Sequence, residues 1–241
     1  HYAAQSSPIL SYQFSFTSYE FNSNSTYILL NSILQSSQSI KFFFASSSEV
    51  FGKGDKKPQN EEFLMAPKSP YGLSKKIGLD IVEYFRSNYG IFACSAISYN
   101  HESPRRNPFF LSRKISIAVN KIYNKDIKFL KLKNIDGKRD WGYAPDFVEA
   151  NWKMLQQNKP EDYVIGTGRV WTVKDMLDIA FSSFSLDWQK YIIVEGSSDE
   201  SITEIKYADA SKIKKKIGFN SSISFETVSY THLRAHETVD Y

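Results

Sequence analysis

Two runs rich in apolar residues, one at residues 40–45 (Ile-Lys-Phe-Phe-Phe-Ala) and one at residues 91–99, constrain this chain more than any other feature. The first reads as a short buried strand. The second is apolar on both faces, as in a parallel sheet covered from two sides. Between them, Ser69-Pro70 opens a helix, with serine as cap and proline in the first turn. Gly78, Ile81, Val82, Phe85 and Tyr89 share one face of that helix, and Gly90 ends it.

The pattern continues downstream. Residues 112–123 form an amphipathic helix through Ile115, Ala118, Val119 and Ile122, and residues 128–132 a short strand. Residues 145–157 read as helix and 163–167 as strand. Thr172 caps a helix carrying Val173, Met176, Leu177, Ala180 and Phe181. Residues 36–39 read as a serine-rich loop. Alternating strands and helices predict an α/β fold with a parallel sheet. With 241 residues the chain suits one such domain with a smaller appended lobe. A hydrophobic content of 41% and an aromatic content of 15% supply a sizeable core and exclude disorder.

The net charge of +4 is spread along the chain, without the basic stripe of a nucleic-acid binder. A small anionic ligand needs only a few placed cations. The single cysteine, Cys94, lies in an apolar run and reads as a core residue. It permits no internal disulfide, which fits a reducing, cytoplasmic compartment. No apolar stretch reaches the ~18 residues of a membrane span, and no signal peptide is visible. Residues 228–238 look like a translated sequencing adapter, so 228–241 is expected to be a non-native tail that packs poorly. His232 and His236 sit four apart in it, and no metal site is expected from them.

Tyr71-Gly-Leu-Ser-Lys75 puts a phenol and an ammonium on one helix face, one turn apart. A phenol titrates near ~10, and a nearby ammonium is expected to lower that value. Such a tyrosine can take a proton from a hydroxyl. The bland alternative is a solvated surface pair. The loop Ser46-Ser-Ser-Glu-Val-Phe-Gly52 follows directly on the phenylalanine-rich strand, where open α/β sheets place their ligands.

Together, Ala45-Ser-Ser-Ser-Glu-Val-Phe-Gly52, Ser69-Pro-Tyr-Gly-Leu-Ser-Lys75, Asn100-His-Glu-Ser-Pro-Arg-Arg106 and Lys138-Arg-Asp-Trp-Gly142 resemble the GDP-mannose 4,6-dehydratases in order and spacing. These belong to the extended short-chain dehydrogenase/reductase group. The resemblance runs from Tyr2 to about Phe219. It implies a Rossmann-like doubly wound parallel sheet, here without its N-terminal strands, and a smaller α+β substrate-binding lobe. Residues 1–105 with 143–180 would form the NADP-binding part, and 106–142 with 181–227 the nucleotide-sugar lobe.

The resemblance also implies roles. Ser47, Glu49, Tyr71 and Lys75 would be catalytic, with NADP as cofactor. Ala3, Ala4, Gln5, Ser6, Lys75, His101 and Arg106 would bind that cofactor. Ser48, Asn100, Lys114, Arg139 and Glu204 would contact a GDP-hexose. A homodimer or homotetramer is implied, with the loop 103–110 near an interface. Glu49 favours a dehydratase over an epimerase or reductase of the same fold, because a 4,6-dehydratase must also remove a C5 proton. A non-catalytic nucleotide-sugar-binding relative is the other alternative. Trp141 and Trp171 read as packing residues.

Three departures stand out. The chain holds no Gly-x-x-Gly-x-x-Gly phosphate loop, with which the family opens. Thr17 and Ser201 stand where the family has tyrosine and arginine. Without the first βαβ unit, the strands at 42–44 and 91–99 are expected to lack neighbours, and the chain to purify poorly and bind no NADP.

Overall fold

A computed structural model describes residues 1–37, 39–54, 57–195 and 205–234, with 230–234 by backbone alone. The first half contains α1 (Pro8–Gln13), α2 (Ser15–Tyr19), a π-helical turn (Glu20–Asn24) and α3 (Ser25–Ser36). After these come β1 (Phe42–Ala45), a short 3-10 turn (Ser48–Phe51), α4 (Pro70–Tyr89), β2 (Ala93–Ser98) and β3 (Asn100–Glu102). Next are α5 (Leu111–Tyr123), β4 (Leu130–Leu132), β5 (Lys138–Arg139), β6 (Trp141–Tyr143), α6 (Ala144–Leu155) and β7 (Tyr163–Ile165). Then follow β8 (Trp171–Thr172), α7 (Val173–Ser182), β9 (Ile192–Val194), β10 (Ile205–Lys206), α8 (Ser211–Ile217) and α9 (Phe225–Arg234).

β1, β2 and β7 form a parallel sheet in that order, with Phe42 opposite Ala93 and Ala96 opposite Tyr163. Successive side chains of a strand point to opposite faces. Phe42, Phe44, Ala93, Ile97 and Val164 pack with Leu30 and Ile33 of α3 and Leu79, Val82 and Phe85 of α4. Phe43, Cys94, Ala96, Tyr163 and Ile165 pack with Phe147, Ala150 and Met154 of α6. The sheet is covered on both faces, which is why its strands are continuous apolar runs. Ser69 Oγ accepts from Gly72 N at 3.0 Å at the start of α4, and the helix ends at Gly90 in the left-handed region.

The central strands do not lack neighbours. β2 lies between β1 and β7. On the other edge of β1, His1 N donates to Phe43 O at 2.6 Å and Ala45 N to His1 O at 3.3 Å. Those two bonds make one rung of a parallel ladder.

Residues 8–36 fold as helices that hydrophobic periodicity does not reveal, because their burial is inverted up to Thr26, beyond which Leu30 and Ile33 of α3 enter the core. Ser11, Ser18, Asn22, Ser23 and Thr26 are fully buried, while Ile9, Phe16 and Phe21 are exposed. Ser36 is the last residue of α3, not loop.

A second core joins Ile115, Val119 and Ile122 of α5 to Leu130, Leu132 and Trp141, to Met176, Leu177 and Phe181 of α7, and to Phe225. α7 therefore packs in the lobe, not with the sheet as the segment 143–180 implied. Ile213 and Phe219, expected in the lobe, lie under the sheet instead. Phe225 stacks against Trp171 at 4.5 Å and Trp141 at 5.8 Å, so both tryptophans are packing residues here. Val228 and Ser229 are buried on α9, so the expected loose tail begins with packed residues. The side chain of His232, and all of His236, lie outside the described residues. Among the described residues no helix is long and apolar enough to cross a membrane.

Candidate active site

The chain leaves β1 at Ala45 and turns at once, because Ser47 Oγ accepts from Glu49 N at 3.3 Å and caps the turn Ser48–Phe51. This sets Ser47 and Glu49 at the carboxyl end of a parallel strand. Ser48 is buried within the turn.

The first turn of α4 faces this loop. Tyr71 is buried, with the Ser47 hydroxyl near enough to its phenol to favour the charged form. One turn on, Lys75 is 4% exposed, and its Nζ donates to Ala45 O at 2.8 Å. The ammonium lies 5.8 Å from the centre of the Tyr71 ring. Burial pulls the Lys75 amine down to about 8. Burial pushes the Tyr71 phenol up to about 12, with the Ser47 hydrogen bond and the Arg106 charge opposing and the Glu49 charge adding. The expected lowering of Tyr71 by Lys75 is therefore not found. Desolvation outweighs attraction, because the ammonium is directed at a backbone carbonyl.

Glu49 Oε1 lies 3.3 Å from Nζ of Lys206 on β10. Nothing in the sequence pointed to Lys206, which is 157 residues away.

Behind Tyr71 and Lys75 lies a polar network that periodicity also missed. Ser11 Oγ accepts from Tyr71 N at 3.0 Å. Asn22 Nδ2 donates to Ser74 Oγ at 2.9 Å, and Asn22 Oδ1 accepts from Gln5 N at 3.0 Å. Ser23 Oγ donates to Ser74 O at 2.9 Å. The π-helical turn aims Asn22 and Ser23 at α4, as such turns often do near functional sites. Gln5 is thus tied to the helix that carries Tyr71 and Lys75; Ala4 is half-buried, and Ala3 and Ser6 are exposed beside it.

His101 Nδ1 donates to Tyr99 O at 2.9 Å, and its ring stacks on Phe147 at 4.8 Å. Burial, chiefly, lowers its pKa. The Arg106 guanidinium sits 3.6 Å over the Phe110 ring and 3.3 Å from Glu102 Oε2. Asn100 Nδ2 donates to Asp140 O at 3.2 Å. Lys114 lies in the lobe, its ammonium donating to Lys131 O at 3.1 Å. Arg139 donates to Lys138 O at 2.7 Å. Glu204 lies outside the described residues. The structure thus gathers Ser47, Glu49, Tyr71 and Lys75, with the charge of Arg106 acting on Tyr71, and sets Lys114 apart on α5.

Asp140 organises the segment between lobe and sheet. Its buried carboxylate accepts from Thr167 N and Oγ1 (2.9 and 2.6 Å), Gly168 N (2.9 Å) and Ala208 N (3.2 Å). Burial raises its pKa, and those bonds oppose the rise.

The residues at the strand end fit a nicotinamide cofactor. Ser46 Oγ is buried with no partner among the described residues. An ammonium has three donors, and the hydrogen bond recorded for Lys75 Nζ goes to Ala45 O. A cofactor at the carboxyl end of β1, where open α/β sheets take ligands, would be held by the donors left on Lys75 Nζ.

A doubly covered parallel sheet with a tyrosine–lysine helix facing a hydroxyl-and-carboxylate loop defines an α/β protein of the Rossmann type. The solved structures agree: RMD from Pseudomonas aeruginosa complexed with NADPH matches with a TM-score of 0.92 over 99% of this chain and 80% of that one, at 18% identity. A DesIV double mutant, a dTDP-glucose 4,6-dehydratase from Streptomyces venezuelae with NAD and DAU bound, matches at 0.85 over 99% and 72%, at 22% identity. The chain belongs to the GDP-mannose 4,6 dehydratase family, whose model matches residues 1–231. The Drosophila melanogaster GDP-mannose 4,6 dehydratase is 42% identical over 181 residues, 74% of this chain and 46% of the relative. The Homo sapiens protein of that name is 39% identical over 210 residues, 78% and 55% respectively. The chain spans about half the length of these curated relatives.

Proposed function

We propose that the protein is a nucleotide-sugar 4,6-dehydratase that converts GDP-mannose to GDP-4-keto-6-deoxymannose with NADP. The observation that carries this reading is Glu49, a carboxylate on the same strand-end loop as Ser47, facing Tyr71. An epimerase has no use for a carboxylate there.

When bound, the nicotinamide supplies hydride acceptance from C4 and hydride return to C6. Tyr71 takes the C4 hydroxyl proton as the phenolate; burial holds its phenol up to about 12 in the protein alone, and the positive ring of an oxidised nicotinamide would favour the charged form. Ser47 hydrogen-bonds the C4 oxygen. Lys75, whose amine is held near 8, can exchange a proton at Nζ close to neutral pH and orient the cofactor ribose. Once C4 is a ketone, the C5 proton is acidic, and the Glu49 carboxylate removes it. The C6–O bond breaks as the C5=C6 bond forms, and the proton returns from Glu49 to the departing hydroxyl, which leaves as water. As C6 regains hydride, C5 takes up one proton from solvent, and the proton that Tyr71 removed from the C4 hydroxyl is released in exchange.

Ala3, Ala4, Gln5, Ser6, His101 and Arg106 are the proposed cofactor contacts. Ser48, Asn100, Lys114, Arg139 and Glu204 are the proposed contacts to the nucleotide sugar; lysine and arginine suit its diphosphate. NADP is preferred over NAD on family resemblance, since the structural neighbours include proteins bound to each. A cytoplasmic homodimer or homotetramer is proposed, with the loop 103–110 at an interface, where Phe109 is 90% exposed. The test is incubation of the full-length protein with GDP-mannose and NADP. A 4-keto-6-deoxy product by mass spectrometry supports the reading, and an unchanged or C4-epimerised sugar overturns it.

A further inference from the structure

We propose that Lys206 is a positioning residue for Glu49. This rests on the reading of Glu49 as the base for water loss. Lys206 is 8% exposed, an unusual position for an ammonium. Its Nζ lies 3.3 Å from Glu49 Oε1, while Glu49 keeps part of its side chain in the open. An ammonium bound to one carboxylate oxygen restricts the rotation of the group and leaves the other oxygen outside that contact.

The backbone of Lys206 has little freedom to follow. Lys206 O accepts from Asp140 N at 3.1 Å, and Asp140 Oδ2 accepts from Ala208 N at 3.2 Å. Gln59 N donates to Tyr207 O at 3.0 Å, and Asp209 N to Gln59 O at 2.9 Å. Gly54 allows the closest approach: a Cβ there would lie 2.4 Å from Ile205 O and 3.0 Å from the Lys206 stem. β10 also pairs in register with β5, Lys206 opposite Arg139.

The mechanism gives Lys206 no contact with the C4 oxygen, so its removal acts on one step. Single-turnover reactions run in deuterated water separate the steps, with C4 oxidation read as the 4-keto sugar and C5 proton removal as deuterium at C5. Lys206→Met keeps the length of the side chain and removes the charge. It is expected to slow C5 exchange and water loss about ten- to hundredfold, the scale of a small misplacement, and to leave C4 oxidation and KM near parent values. Lys206→Arg restores most of the loss. In a Glu49→Gln background, Lys206→Met adds nothing, because both act through one group. Thermal unfolding of each variant supplies a readout independent of activity: a Lys206→Met protein that melts with the parent and still loses C5 exchange has a positioning defect.

If Lys206→Met exchanges C5 at the parent rate while Glu49→Gln is blocked, the Lys206 inference alone is overturned. If it slows C4 oxidation equally, or fails to fold while Lys206→Arg is no better, Lys206 is structural and the inference is also overturned. If Glu49→Gln itself dehydrates at the parent rate, the functional reading falls first.

Discussion

The ammonium of Lys75 donates to the carbonyl of Ala45 at 2.8 Å, binding the helix of the tyrosine–lysine motif to the last residue of β1. That bond sets the helix face that carries Tyr71 against the loop that carries Ser47 and Glu49. It also buries a cation, and the consequence is measurable.

Burial lowers the Lys75 amine from 10.5 to about 8. Between those values the folded protein holds it neutral, while the unfolded chain still binds the proton. The unfolded state then binds more protons, so this group's contribution to stability rises with pH across the window. Below about 8 both states are charged, and the full cost of burial remains. The unfolding free energy of the parent relative to Lys75→Met should therefore increase between pH 8 and 10.5, by on the order of 3 kcal/mol. Taking the difference cancels Tyr71 and Cys94, whose raised pKa values act in the opposite sense. Chemical denaturation at several pH values gives the answer; a flat difference would show that the amine is not buried as described.

Gly78 lies one turn beyond Lys75, where α4 crosses β1. A Cβ there would lie 2.3 Å from the Phe44 ring and 3.1 Å from Asn22 O. Alanine in a helix interior normally gains ~1 kcal/mol over glycine. Here overpacking, at about 1–3 kcal/mol, is expected to win, since Phe44 is enclosed in the core. Gly78→Ala should lower the urea midpoint. A rise would mean that the helix sits further from the sheet than described.

Phe225 lies against Trp171 and Trp141 and is 3% exposed. Phe225→Ala should cost about 3–5 kcal/mol and change tryptophan fluorescence, because both indoles lose their stacking partner. A loss under about 1 kcal/mol would mean that α9 does not belong to the lobe core.

The sheet was legible in the sequence because strands covered on both sides are mostly apolar on both faces, as residues 42–45 and, Ser95 apart, 93–97 are. Helix α4 was legible from its ends, Ser69-Pro70 and Gly90. The strand-end loop and the tyrosine–lysine pair were local in sequence, and the structure sets them face to face. Helices α1 and α2 and the π-helical turn were not legible, because their buried side chains are polar and are satisfied by Gln5, by Ser74, by Tyr71 N and by the backbone of their own turns. The ion pair of Glu49 with Lys206 was not legible either, since only the tertiary fold brings β10 to that loop. The raised phenol of Tyr71 reverses the sequence expectation for the same reason: its desolvation belongs to the packed state.

Ser47 is the hydroxyl whose proximity favours the charged form of the Tyr71 phenol. Its removal should act on the other half of the reaction from Glu49. Ser47→Ala is expected to slow C4 oxidation by about 10²–10³-fold, the scale for loss of an oxyanion-directed donor, while a supplied 4-keto sugar still exchanges its C5 proton. Equal loss of both steps would assign Ser47 to folding of the loop.

The most direct measurement is a single turnover of GDP-mannose by the full-length protein with NADP, followed by absorbance of the reduced nicotinamide and by mass spectrometry of the sugar, for parent and Glu49→Gln. The parent should show a transient rise that returns to baseline as a 4-keto-6-deoxy sugar forms. The Glu49→Gln variant should show the rise without the return, and no loss of water. A Glu49→Gln protein that dehydrates at the parent rate would contradict the account.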